Sequence, residues 1–270
     1  MRKAFLILFS LYCWACVGQK DDPEPLPVLP DPLAEVTPEP GPKEPQQPEE
    51  TPGGPFFHRV LALEFTGTWC QYCPNMAQAL LKAQELRPGR LVEIAVHAYD
   101  DFSPAASDPL VQLFGVGSFP TMVLDWDAAT LFTSQDPNLM VQYVDATVGE
   151  ETCGLALSCA DGTLVVKVCA AEPGSYTLVV AQVEDGLVAR QAGYGEGYVN
   201  QAVLRGFLGD GYTGNSLGEL AEGEEATRSF NVELTENQRF VAFILKDGRC
   251  RNVRSCADGE TLDYAYEEAS

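Results

Sequence analysis

The sequence predicts an α/β domain followed by an all-β, sandwich-like domain, both carried behind a leader and a proline-rich spacer. Three observations predict it. From Phe56 the chain alternates strand-like and helix-like apolar periods, as a layered α/β structure requires. After Glu150 the helical periods stop, and alternating segments are joined by Asp-Gly steps at Asp161-Gly162 and Asp247-Gly248, a strong hairpin signal. Before Phe56, residues 20–55 hold twelve of the nineteen prolines with nine acidic residues and no apolar periodicity, so no core can form there. The expected divisions are 1–16, 17–55, 56–149 and 150–270.

Met1 to Cys16 reads as a signal peptide: Arg2 and Lys3 give a positive start, Ala4 to Trp14 an apolar segment too short to span a bilayer, and Ala15 a small residue before Cys16. Ala15-Cys16 resembles the end of a bacterial lipoprotein signal, which implies lipidation of Cys16 and attachment to a membrane through that lipid. Cys13 and Trp14 depart from the usual lipobox residues. Gln19-Lys20-Asp21-Asp22 resembles the surface-export tag of Bacteroidota lipoproteins. The spacer that follows, at ~3.1 Å per residue when extended, is able to hold a domain on the order of 100 Å from the membrane.

Within 56–149, Arg59 to Phe65 reads as a strand and Pro74 to Leu86 as a helix with Ala77, Leu80, Leu81 and Ala83 facing inward, stopped by Pro88-Gly89. Leu91 to His97 is a second buried strand, followed by a short helix around Asp108 to Phe114. Thr121 to Asp125 is a third strand, Ala129 to Phe132 its hairpin partner, and Asp136-Pro137 opens a closing helix to about Val148. Beyond 150, the strand signals are Leu155–Ala160, Thr163–Ala170, Tyr176–Val183, Arg228–Leu234 and Arg239–Lys246. Gly193-Tyr194-Gly195-Glu196-Gly197 reads as a turn, since it lacks the Lys-Ser/Thr ending of a phosphate loop.

The stretch Leu63-Glu64-Phe65-Thr66-Gly67-Thr68-Trp69-Cys70-Gln71-Tyr72-Cys73-Pro74 places two cysteines three apart where a helix begins. The helix dipole and free backbone amides there stabilise a thiolate, lowering its pKa from ~8.5 to about 7 or below. Cys70 is therefore the expected attacking sulfur and Cys73 the resolving one. A carboxylate at Glu64, on an otherwise apolar strand, is costly without a partner or a proton and so invites a functional explanation. Zinc is disfavoured, because the only histidines are His58 and His97 and no second C-x-x-C exists; no metal or other cofactor is expected. A plain structural disulfide stays open as the alternative.

Together with Phe119-Pro120-Thr121 at the head of the third strand, this dithiol stretch resembles the thioredoxin-like superfamily over residues 56–149, so the fold class becomes a thioredoxin-like α/β domain followed by a β-sandwich. The resemblance implies that Pro120 is cis and lies against the cysteine pair, with Thr121 beside it. It also implies that Glu64 exchanges a proton with the second cysteine, and that Trp69 covers the disulfide. Gln71-Tyr72 between the cysteines offers no histidine, which points to a potential nearer the reducing end. The whole chain resembles the twenty-eight-kilodalton outer-membrane-protein family of Bacteroidota, in which Gly197 to Arg205 matches a segment that usually carries histidines; they are absent here.

Five further cysteines lie beyond 150. If Gly154 to Ser158 is extended, Cys153 and Cys159 are ~20 Å apart, too far for the ~7 Å Cα limit of a disulfide. The turn at Asp161-Gly162 puts both on one face with Leu155, Leu157, Leu164, Val166 and Val168. The expectation is that both are bridged inward, with Cys250 and Cys256 as partners, and that Cys169 is the odd thiol. Nine cysteines suit an oxidising envelope setting. The formal charge of −22 argues against nucleic acid and anionic lipid as partners, since both require a basic face. The sequence thus points to an envelope lipoprotein exchanging thiols and disulfides with protein substrates or a redox partner. The rival class is a binding or adhesion lipoprotein in which the C-x-x-C is a static staple.

Overall fold

A computed structural model of the chain describes residues 55–148, 152–233 and 235–267. The signal peptide, Cys16 and the spacer lie outside the described residues. The first half runs β1 (Val60–Thr66), α1 (Cys73–Leu86), β2 (Leu91–His97), α2 (Ser107–Phe114), β3 (Thr121–Leu124) and α3 (Pro137–Thr147). β1 is buried along its whole length because it is covered on both faces: Leu61, Leu63 and Phe65 point into one core, Val60 and Ala62 into another. α1 starts at Cys73 and faces the sheet with Met76, Ala79, Leu80 and Ala83. Leu81, expected inward, is 47 % exposed, since spacing from Met76 by three and four residues turns it to solvent. Asp136 caps α3 by accepting from the Asn138 amide at 3.0 Å. The expected strand Ala129–Phe132 is instead a 3₁₀ turn at Ala128–Thr130 with a single bridge from Phe132 to Met122. Asp127 caps the 3₁₀ turn through the Ala129 amide, and Thr130 Oγ1 bonds Leu124, which diverts the chain from a ladder.

The second half is all strand apart from one 3₁₀ turn among the described residues. β4 (Gly154–Ala160) and β5 (Thr163–Cys169) form the expected hairpin, and β6 (Gly174–Glu184) follows. Next come β7 (Leu187–Gln191), β8 (Gly195–Asn200), β9 (Val203–Phe207), β10 (Asn215–Leu220) and β11 (Glu225–Asn231). β12 (Gln238–Lys246), β13 (Arg249–Ala257) and β14 (Thr261–Leu262) complete the chain. Both residues of each predicted Asp-Gly turn have positive φ, 50° and 71° at Asp161-Gly162 and 55° and 78° at Asp247-Gly248. That is the backbone a two-residue hairpin loop requires. The Gly-rich 193–197 segment, read as a turn, instead runs into β8, with Gly195 and Gly197 at φ 90° and 84°.

One mixed sheet crosses the whole molecule in the order β13-β12-β6-β9-β2-β1-β3, with β10 on β6. β9 joins β2 in parallel through the pair Ala95–Val203, so strands of the first half continue directly into strands of the second. The sheet curls until its far edges meet, the Cys250 amide donating to the Asp125 carbonyl at 2.8 Å. The concave side is filled by Phe65, Ile94, Phe114, Trp126, Val179, Val241 and Phe243. A second sheet, β11-β5-β4-β14, packs on the opposite side of β6 and β12 around Leu155, Leu164, Val166, Leu178, Phe240 and Ile244, a sandwich-like layer. α1 and α3 cover the remaining face of β1 and β3.

All five cysteines of the second half are free thiols. The expected inward bridges are therefore absent, although the facing is as the register demanded: Cys153 and Cys159 line the sandwich core with Leu155, Leu157, Leu164, Val166 and Val168. Burial pushes the Cys153 and Cys256 thiols up to about 12, and raises Cys159 and Cys250 too. At neutral pH these sulfurs are small apolar groups and poor nucleophiles. Cys169, expected to be the odd thiol, is half-buried.

Candidate functional site

Cys70 and Cys73 form a disulfide with their Cα atoms 5.5 Å apart. Cys73 is the first residue of α1, with Pro74 in the first turn where a missing N–H leaves nothing unpaired. Cys70 precedes the helix in a turn whose amide donates to Gly67 O at 3.0 Å. Cys73 is 1 % exposed and Cys70 5 %, so the first sulfur, expected to be open to a partner, is covered. Trp69 is half-exposed and folds back over Gly67, its Nε1 donating to Ala98 O at 2.9 Å. A Cβ on Gly67 would fall 2.6 Å from that nitrogen, which explains a glycine at this position. The Trp69 ring meets Phe119 edge-on at 5.2 Å, bringing the disulfide loop beside the Phe119–Pro120 bond, which is cis. Thr121 is buried and its hydroxyl donates to Ser118 O at 2.7 Å.

Glu64 is 2 % exposed and, by alternation with Val60 and Ala62, shares the face of β1 that packs on α1. Its Oε1 has no hydrogen-bond partner among the described residues. Burial first, and the Glu93 carboxylate second, push its pKa well above the ordinary carboxylate range, against a hydrogen bond with Thr66 that pulls it down. Glu93 stands opposite Ala62 in the neighbouring strand, and burial pushes it up to about 7 despite Arg239, with Asp185 adding to the rise. Arg239 in turn binds Asp185 at 2.9 Å. The sheet face beneath α1 thus carries two carboxyls that hold protons more firmly than carboxylates in water.

Two sets of residues that the motifs did not reveal fix the loop from Gly67 to Cys70. On one side Asp100 accepts from the Thr68 amide and from His97 Nδ1, both at 2.8 Å, and from Phe102 N and Ser103 Oγ at 3.0 Å. Burial alone would raise Asp100, but His97 and these donors hold it down at about 2. His97 closes β2 as expected, and its role is to brace this aspartate. On the other side the β7–β8 hairpin reaches over from the second half. Gln191 Nε2 donates to Gly67 O at 3.1 Å and Cys70 O at 2.7 Å, the Ala192 amide to Thr68 O at 2.8 Å, and the Tyr194 hydroxyl to Asn75 Oδ1 at 3.0 Å. His97 and Asp100, three residues apart, carried a faint signal; a lone glutamine carried none. No group of three or more potential metal ligands occurs among the described residues.

Among solved structures the chain is similar to HBP35 of Porphyromonas gingivalis, with a TM-score of 0.62 and 20 % identity over 81 % of this chain and 79 % of that one. It is also similar to protein AGR_C_4864 from Agrobacterium tumefaciens, with a TM-score of 0.52 and 14 % identity over 78 % of this chain and 96 % of that one. At these identities the likeness is one of fold. No family model and no curated protein matches the chain. No helix among the described residues is long and apolar enough to cross a membrane.

Proposed function

We propose that this chain is an envelope-anchored lipoprotein whose Cys70–Cys73 disulfide exchanges with the thiols of partner proteins, and that residues 56–149 are its thioredoxin-like part. The observation that carries the reading is the disulfide at the N-terminus of α1 with a proton-holding carboxyl, Glu64, on the strand face beneath that helix. A partner thiolate attacks the Cys70 sulfur, the Cys70–Cys73 bond breaks, and Cys73 leaves as a thiolate that takes the Glu64 proton. A second partner thiol, deprotonated, attacks the partner sulfur of the mixed disulfide and releases Cys70. The partner dithiol has become a disulfide and the protein disulfide a dithiol; the reverse sequence reduces a partner, with Glu64 accepting the proton.

A second reading, an outer-membrane or surface binding and adhesion lipoprotein with a static disulfide, is favoured by the 5 % exposure of Cys70 and by the likeness in fold to HBP35. Reduction of insulin with dithiothreitol as electron donor separates the two. The exchange reading expects the wild-type chain to accelerate it and Cys70→Ser to abolish the acceleration. Equal rates for the two proteins support the binding module.

A further inference from the structure

We infer that the β7–β8 hairpin is a latch over the Cys70–Cys73 disulfide, with Gln191 as its fastening, so that a protein partner must displace the hairpin before its thiol reaches Cys70. The inference rests on the exchange reading for its biological meaning, but its geometry stands separately. The hairpin is inserted between β6 and β9 and pairs with neither; its two strands pair only with each other, in a two-stranded sheet of their own. It is held to the rest of the molecule at its inner edge by the disulfide loop. Gln191 is 3 % exposed, and its one amide nitrogen serves two carbonyls of that loop, one of them Cys70's own. Gly193 has a φ of 81°, open to glycine at no steric cost, and lets the hairpin tip approach Gln71 so closely that an added Cβ would lie 3.3 Å from the Gln71 Cβ. Thus residues 191–194 contact or bond Gly67, Thr68, Cys70 and Gln71, four of the six residues between β1 and α1, and Asn75 in the first turn of α1.

The outer side of the hairpin is of a different character. Val188 is 63 % exposed, and the Arg190–Glu196 ion pair is open to solvent at 3.6 Å. Nothing buried on that side would be torn out if the hairpin swung away from the loop. Opening breaks the hydrogen bonds that tie the hairpin to the disulfide loop and α1, among them two from Gln191, one from Ala192 and one from Tyr194. Gln191 is a specificity-determining and positioning residue rather than a catalytic one, since it touches the backbone of Cys70 and not a reacting sulfur. A latch of this kind discriminates by size: a compact reductant slips under or waits for a brief opening, whereas a folded protein thiol needs the hairpin fully displaced.

The test compares the wild-type full chain with Gln191→Ala and with a variant in which residues 188–199 are replaced by Asn-Gly. That replacement closes the Leu187–Asn200 pair with a two-residue turn. Reduction of Cys70–Cys73 is followed by alkylation and mass spectrometry with dithiothreitol and, separately, with a reduced protein dithiol of thioredoxin size. Loss of the two Gln191 bonds is expected to speed reduction by the protein dithiol roughly tenfold, with a smaller gain for dithiothreitol, and the shortened variant is expected to exceed both. Unchanged melting curves for Gln191→Ala exclude a general loosening of the fold. Equal rates for all three proteins, or equal gains with the small and the large reductant, overturn the latch. If the variants open as expected yet insulin reduction stays independent of Cys70, the latch stands and the exchange reading falls.

Discussion

Glu64→Gln should stabilise the oxidised protein, and increasingly so as pH rises, while impairing its chemistry. The amide keeps the volume of the side chain and its capacity to accept from Thr66, but it carries no charge to desolvate. In the wild type, burial and Glu93 raise the Glu64 pKa above its unfolded value of 4.5. A carboxyl whose folded pKa is raised contributes stability that is fully present below 4.5 and is lost as pH climbs through the folded value. Over that window the wild type loses about 1.4 kcal/mol per pH unit relative to the variant. For a fold of this size that corresponds to roughly 3–6 °C in Tm per pH unit.

Thermal melts of both oxidised proteins, followed by circular dichroism from pH 4.5 to 8, read this directly as a difference that widens with pH. Glu93→Gln provides the internal standard, because its own gain should level off above about 7, where the Glu93 carboxyl is ionised in both states. In the insulin assay Glu64→Gln should slow exchange by about a hundredfold, the lower range for losing a general acid–base group. A gain in stability together with a loss of rate is the usual signature of a group kept for its chemistry. Melting curves that stay parallel across the pH range, or a wild type that gains on the variant as pH rises, would refute the burial of a proton-holding carboxyl on the β1 face beneath α1.

Asp100→Asn should lower stability by about 1–2 kcal/mol at neutral pH, because its depressed pKa adds stability above the unfolded value of 3.8. The gap from wild type should close as pH falls from 3.8 to about 2, a window that acid denaturation followed by tryptophan fluorescence will resolve. Asn252→Ala should cost about 2–4 kcal/mol in urea denaturation, since Asn252 accepts from the Arg59 and Val253 amides and donates to the carbonyls of Phe57 and Cys153 at 2.8–3.0 Å, three of the four bonds being out of water.

The first half was legible because its signals are local. Apolar period, Pro74 and Pro137 in first turns, Gly115 closing α2 with φ 64°, and Asp136 as a cap each act within a few residues. The two Asp-Gly hairpins were legible for the same reason. The joining of β2 to β9 was not, because one parallel pair, Ala95–Val203, leaves no trace in the residues around either partner. Asp185-Gly186 is a third Asp-Gly step, yet the chain leaves β6 there and β7 pairs with β8 instead. At the site, the cysteine pair, Glu64 and Pro120 were visible as residue types in a known spacing. Gln191 was not, because a glutamine gains meaning only when the fold lays it across two carbonyls. The thiol pairings failed for a comparable reason: register fixes which face a cysteine occupies, but a bond also needs two sulfurs aligned across two sheets.

The surroundings of the disulfide are supplied largely from outside the segment that contains it. Gln191, Ala192 and Tyr194 hold the loop from the front; Asp185 and Arg239 set the charge felt by Glu93, which in turn acts on Glu64 behind it. All five belong to the second half. The shared sheet makes this possible, since β9, the strand into which the hairpin leads, pairs with β2, whose last residue braces Asp100 against the same loop. The residues beyond 150 therefore shape the surroundings of Cys70 and Cys73 on two sides, through the charges of Asp185 and Arg239 that act on Glu93 and through the hydrogen bonds of Gln191, Ala192 and Tyr194.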